Sequence, residues 1–100
     1  MTKELKESLK QELIASLCSE KEIDKIILFG SFINSDEPGD MDVAIFQTSN
    51  ESYLNLAMKY RKLTRSLAKK ITLDLIPIKP DAGDTTFLSD IESGEVVFER

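Results

Sequence analysis

Asp42 lies between Met41 and Val43, and Asp74 lies between Leu73 and Leu75, each inside a short apolar run. An isolated carboxylate among apolar neighbours costs several kcal/mol, so each needs a base, backbone amides or a cation. Neither run supplies a base, and Lys25 and Lys79 are the nearest by sequence. Asp40 precedes Asp42 by two residues, so in extended chain both point to the same side. Two like charges on one face repel, which again argues for a cation between them. Three carboxylates on strands, with neither imidazole nor thiolate beside them, describe a site for a hard cation held by oxygen, Mg²⁺ first. The bland alternative has Asp40 capping a turn, Asp42 at an exposed strand end and Asp74 bonded to backbone amides. Gly30-Ser31 stands shortly upstream, directly after another apolar run. A glycine lets the backbone approach a phosphate closely, and free amides with a hydroxyl attract anions. Alone, that pair reads as a plain turn.

Composition narrows the chemistry from the other side. The chain has 100 residues and no histidine, which removes Ser-His-Asp and Cys-His catalysis and imidazole-ligated zinc. Its one cysteine, Cys18, allows neither an intrachain disulfide nor a thiolate metal cluster. Cys18 falls on a helical apolar stripe and reads as a small core residue. Eighteen acids against thirteen bases give a net charge of −5, which disfavours generic DNA binding. No stretch reaches the ~20 apolar residues needed to cross a bilayer. The N-terminal segment lacks the apolar core of a signal peptide, so a reducing cytoplasm is expected.

The elements that must position these residues follow from periodicity. Leu5, Leu9, Leu13, Ile14, Leu17 and Cys18 predict a helix over 3–18. The apolar run 25–29 predicts a buried strand ending at Gly30, and 34–40 is turn chemistry throughout. A second strand covers 41–46. Thr48-Ser-Asn-Glu51 fits a capping box, opening a helix to about residue 69 with Tyr53, Leu56, Tyr60, Leu63 and Leu67 buried. Residues 71–76 form a third strand, which Pro77 and Pro80 close. A short helix over 85–93 with Gly94 as its stop, and an edge strand over 95–99, complete the chain. The order α-β-turn-β-α-β-α-β describes an α/β (α+β) fold, a mixed sheet of about four strands with helices on it, as a single domain over 1–100.

Phe29-Gly-Ser31, Gly39-Asp-Met-Asp-Val43 and Leu73-Asp-Leu75, in this order and spacing, resemble the signature of the DNA-polymerase-β-type nucleotidyltransferase superfamily. The short length is similar to its minimal nucleotidyltransferase (MNT) domains, and the ending 87–99 is similar to their usual close. The resemblance implies transfer of a nucleoside monophosphate, AMP from ATP in the first instance, to an acceptor hydroxyl with pyrophosphate leaving. It implies that Asp40 and Asp42 hold two Mg²⁺ ions, that Asp74 completes the site and takes the acceptor proton, and that Gly30 and Ser31 hold the β- and γ-phosphates. It also implies a protein partner, since many MNT domains are antitoxins of HEPN-domain toxins and some adenylylate a tyrosine. A catalytic core of this size is expected to have its acceptor presented by another protein. Relatives commonly carry an arginine after the Gly-Ser pair, where this chain has Phe32-Ile33-Asn34-Ser35 followed by the acids Asp36 and Glu37. The alternative is therefore a weak or inactive module of the same fold that neutralises a partner by binding alone.

One charge pattern stands outside this scheme. Lys59, Arg61, Lys62, Arg65, Lys69 and Lys70 place six bases in twelve residues without an acid. They read either as a solvated outer face or as a docking patch for an acidic partner or RNA. The segment 81–99 is the reverse, with six acids and no base, so the two could pair within the chain or between subunits of an oligomer.

Overall fold

A computed structural model describes residues 1–79, 91 and 93–100. Helix α1, Lys3–Leu17, begins where the Thr2 hydroxyl accepts from the Leu5 N–H at 3.1 Å, satisfying one orphan donor of the first turn. Leu9, Leu13 and Leu17 recur every fourth residue and are buried. Cys18 is exposed, contrary to its reading as core. The helix ends at Leu17, and the next residue is rotated about 100° off the buried stripe.

Strand β1, Ile23–Phe29, and strand β2, Asp40–Gln47, pair antiparallel across the one-turn helix α2, Ser31–Asn34. Helix α3, Tyr53–Leu63, is capped not by Thr48 but by Ser52, whose hydroxyl accepts from Asn55 N–H at 3.2 Å. Thr48 is held instead against the Glu22 carbonyl by its backbone N–H at 3.0 Å. Tyr53 is therefore the first helical residue and is exposed, while Leu56, Ala57 and Tyr60 are buried. The single helix expected to residue 69 is divided at Thr64, whose hydroxyl donates to the Tyr60 carbonyl at 2.8 Å. Such back-bonding competes with the helical ladder and bends it; α4, Arg65–Ala68, follows.

Strand β3, Thr72–Ile78, runs through Pro77 rather than stopping at it. The sheet order β3-β2-β1-β4 puts β3 at an edge, where a residue without an N–H is tolerated. β2 and β3 are parallel, so a crossover is obligatory, and α3 and α4 provide it. Strand β4, Glu95–Glu99, pairs antiparallel with β1 at the other edge, as expected. The expected helix over 85–93 lies outside the described residues, except for its buried position Ile91 and for Ser93.

The period of two sorts each strand between two cores. Ile26 and Leu28 of β1, with Met41, Val43 and Ile45 of β2 and Leu75 of β3, pack with α1, α2, α3 and α4 around Phe32, Tyr60 and Leu67. Ile27, Ala44 and Ile78 face the opposite side, with Ile91, Phe29, Phe46 and Ile76. Helices α1–α4 thus load one face of the sheet, and the even-numbered residues of β2 and β3 point to the other.

Candidate functional site

The three aspartates lie on that second face. In the parallel ladder Asp42 stands directly beside Asp74, and Asp40 stands beside Thr72. On its other flank Asp42 is opposite Phe29, the last residue of β1. Adjacent strands are ~4.8 Å apart and alternate residues of one strand ~6.7 Å apart, so the carboxylates are neighbours by backbone placement alone. Asp40 and Asp74 are exposed and Asp42 is half-buried. Among the described residues, none of the three carboxylates makes a hydrogen bond or ion pair with a protein group. Partial burial, then the charges of Asp74 and Asp40, raise the Asp42 carboxyl above the usual range.

Gly30 explains how Asp42 is accommodated. Its φ of 74° and ψ of −151° belong to a region that only glycine occupies readily. A Cβ there would stand 2.3 Å from Asp42 Oδ2, so the carboxylate rests against bare backbone. Ser31 opens α2 and is exposed beside it. The structure brings Asp40, Asp42 and Asp74 to one face of the sheet, with Gly30 against Asp42 and Ser31 next to it in the chain. They are not folded into a closed cage: among the described residues no three acidic or thiol groups already surround one point that could hold a metal ion. The donor set nevertheless fits a hard divalent cation, because three oxygen ligands lack countercharge and one already resists ionisation.

The nearest bases by sequence do not serve the aspartates. Lys25 pairs with Glu99 at 3.4 Å, with its ammonium 5.9 Å from the Phe46 ring centre. Lys79 is exposed beyond β3.

Two supporting groups had no signal in the sequence because their partners are distant along the chain. Lys6 Nζ donates to the Ser35 carbonyl at 2.6 Å and stands 5.5 Å from the ring centre of Phe32, which is fully buried. The Met1 amino group donates to the Asp36 carbonyl at 2.8 Å and pairs with the Glu37 carboxylate, holding that acid below its usual range. The acidic loop before Asp40 is thereby tied to α1, and Glu37 has a countercharge. On the helix side, Lys59 pairs with Glu20 at 2.7 Å and Glu22 at 3.2 Å, and the Tyr60 hydroxyl donates to Glu22 at 3.1 Å. Burial and the Glu22 charge push the Tyr60 hydroxyl well up, so it remains a donor.

Comparison with known proteins adds the relatives of this geometry. The family model described as "Polymerase beta, Nucleotidyltransferase" matches residues 11–100. No curated protein matches the chain. Among solved structures, the chain is similar to a complex of a tri-AMPylated HEPN toxin with an MNT antitoxin from Shewanella oneidensis, at 17% identity and a TM-score of 0.64, over 95% of this chain and 73% of that one. It is similar to the toxin–antitoxin pair MntA-HepT at 18% identity and a TM-score of 0.61, over 94% of this chain and 73% of the other. A toxin–antitoxin structure with AMP-PNP is similar at 19% identity and a TM-score of 0.63, over 91% and 73% of the two chains.

Proposed function

Because the chain belongs to the polymerase-β-type nucleotidyltransferase family, we propose that residues 1–100 are one minimal nucleotidyltransferase domain that moves AMP from ATP to a hydroxyl of a partner protein. The partner in this reading is a HEPN-type toxin and the chain its antitoxin. The observation that carries it is the in-register pair Asp42 and Asp74, with Asp40 on the same face, opposite α1–α4, and Gly30 against Asp42. Support for partner and nucleotide comes from the similar structures, one holding an AMPylated HEPN toxin and another AMP-PNP.

Asp40, Asp42 and Asp74 would hold two Mg²⁺ ions, which when bound neutralise triphosphate oxygens and favour in-line displacement. The Gly30 backbone and the Ser31 hydroxyl would hold the β- and γ-phosphates. Asp74, exposed on β3, would take the acceptor proton. The acceptor oxygen forms its bond to the α-phosphorus as the bond to pyrophosphate breaks.

The test is incubation with α-labelled ATP, Mg²⁺ and a HEPN partner. The expected result is label on the partner, abolished by Asp42→Asn in a chain that still folds. No transfer from any nucleoside triphosphate would overturn the reading.

A second reading has its own observation. Where relatives commonly have an arginine, this chain has Phe32-Ile33-Asn34-Ser35, with Phe32 wholly in the helix-side core and the neutral, exposed Asn34 three residues after Ser31. The phosphate-facing charge of the family is then missing, and the domain would neutralise a toxin by binding alone. Neutralisation that survives both Asp42→Asn and Asp74→Asn selects this reading. Among the described residues no helix is long and apolar enough to cross a membrane, and a cytoplasmic setting remains part of the proposal.

A further inference from the structure

The outer face of α3 and α4 combines two features that the catalytic reading leaves unused. Leu54 and Met58 are 64% and 59% exposed, which is unusual for large apolar side chains. They are four residues apart and so form one patch on the helix surface. Arg61 and Lys62 follow one turn further along α3, Arg65 opens α4 beyond the break at Thr64, and Lys69 lies just past the end of α4. All four bases are exposed. The six-base run is not uniform: Lys59 is bound to Glu20 and Glu22, and Lys70 to Glu12 at 2.6 Å. Arg61, Lys62, Arg65 and Lys69 have no acidic partner among the described residues, although acids outnumber bases in the chain.

We propose that this face is a docking surface for an acidic, amphipathic helix of a partner protein. The apolar pair receives side chains spaced three or four apart on the incoming helix, and Arg61, Lys62, Arg65 and Lys69 meet its carboxylates. Charge complementarity selects the sign of the partner. The apolar half selects protein over nucleic acid, because phosphate contacts need no exposed Leu or Met and a net charge of −5 repels a polyanion elsewhere on the surface. An interface of this kind contributes specificity and association rate through the bases, and holding power through Leu54 and Met58. The proposal rests on the reading that a protein partner exists and is independent of nucleotidyl transfer.

Amide-resolved NMR titration of the full chain tests it with defined probes. They are an amphipathic peptide of about 18 residues, five helical turns, with Leu on one face and Glu beside it, its Lys-for-Glu counterpart, a single-stranded RNA and anionic phospholipid vesicles. The expected result is resonance shifts confined to residues 54–69 with the acidic peptide alone. Affinity is expected to fall at least about tenfold, some 1.4 kcal/mol, in Arg61→Glu/Lys62→Glu/Arg65→Glu and in Leu54→Ser/Met58→Ser. Every substituted side chain is exposed, so melting curves should match the parent and separate lost docking from lost folding. No shift, shifts elsewhere, affinity unchanged in both variants, or tighter binding of RNA or vesicles overturns the proposal. Asp42→Asn separates the two readings: it is expected to abolish transfer yet bind the peptide as the parent does. Failure of transfer in the parent chain with docking intact removes the transferase reading alone. Loss of docking with label transfer intact removes this proposal alone.

Discussion

At Gly30 the backbone itself makes room for a charge. A side chain there would meet Asp42 Oδ2 at 2.3 Å and would have to adopt a positive φ of 74°. Gly30→Ala is therefore expected to destabilise the fold by roughly 1–3 kcal/mol, the range for a non-glycine residue in such a region. Thermal melting checks this, and a change below a few tenths of a kcal/mol would contradict the geometry. Asp42 has a pH signature of known sign. Its carboxyl is raised in the folded chain by burial and by Asp74 and Asp40, so the folded state holds that proton more tightly than the unfolded state. The corresponding stability is fully present below the unfolded value of about 3.9 and is lost as pH rises through the folded value. Without divalent cations, Asp42→Asn should lose less stability than the parent on going from acid to neutral pH. Melting temperatures across that window provide the comparison, and parallel curves would show that neither burial nor the neighbouring aspartates raise the Asp42 carboxyl. The carboxylate placement was legible in sequence because charge inside an apolar strand is anomalous and the strand period is two. Lys6 was not legible: its partners Phe32 and Ser35 are 26 and 29 residues away, and nothing local marks a lysine that will reach them.

At the scale of elements, apolar runs identified β1, β2 and β3 because buried strands have a contiguous signal. Helix ends were less legible because several hydroxyls compete as caps. Thr48 and Ser52 both offer a side-chain oxygen, and the tertiary bond from Thr48 N–H to the Glu22 carbonyl at 3.0 Å removes Thr48 from the contest. Ser52→Ala should therefore lower stability by about 1 kcal/mol, the usual worth of an N-cap hydroxyl. Thr48→Ala should cost less, since it loses only a long contact at 3.4 Å. Denaturant midpoints of the two variants rank the caps directly. The division at Thr64 and the continuation through Pro77 share a reason: each depends on what lies across the chain, a Tyr60 carbonyl or a free sheet edge. Local pattern cannot show that Pro77 belongs to an edge strand until the strand order is known.

For the whole molecule, the net charge of −5 conceals a division of labour. Among the described residues, acid without a countercharge is gathered at Asp40, Asp42 and Asp74 on the face opposite α1–α4, while base without an acidic partner lies on the outer surface of α3 and α4. Charges left without partners store repulsion, which a ligand of opposite sign relieves only in the folded state. A cation bound there must therefore stabilise the fold by linkage. At a free concentration about a hundredfold above the dissociation constant, this amounts to roughly 2.7 kcal/mol. For a domain of ~100 residues, that corresponds to a rise in melting temperature of about 10 °C or more. Millimolar Mg²⁺ should produce such a rise, ATP should increase it further, and Asp42→Asn should remove most of both effects. Salt alone does not imitate this pattern, because screening weakens all exposed pairs alike and does not depend on one carboxylate. A melting temperature indifferent to Mg²⁺ and nucleotide, in a chain that keeps Asp42 beside Asp74, would leave the three aspartates without a cation and return the domain to binding alone.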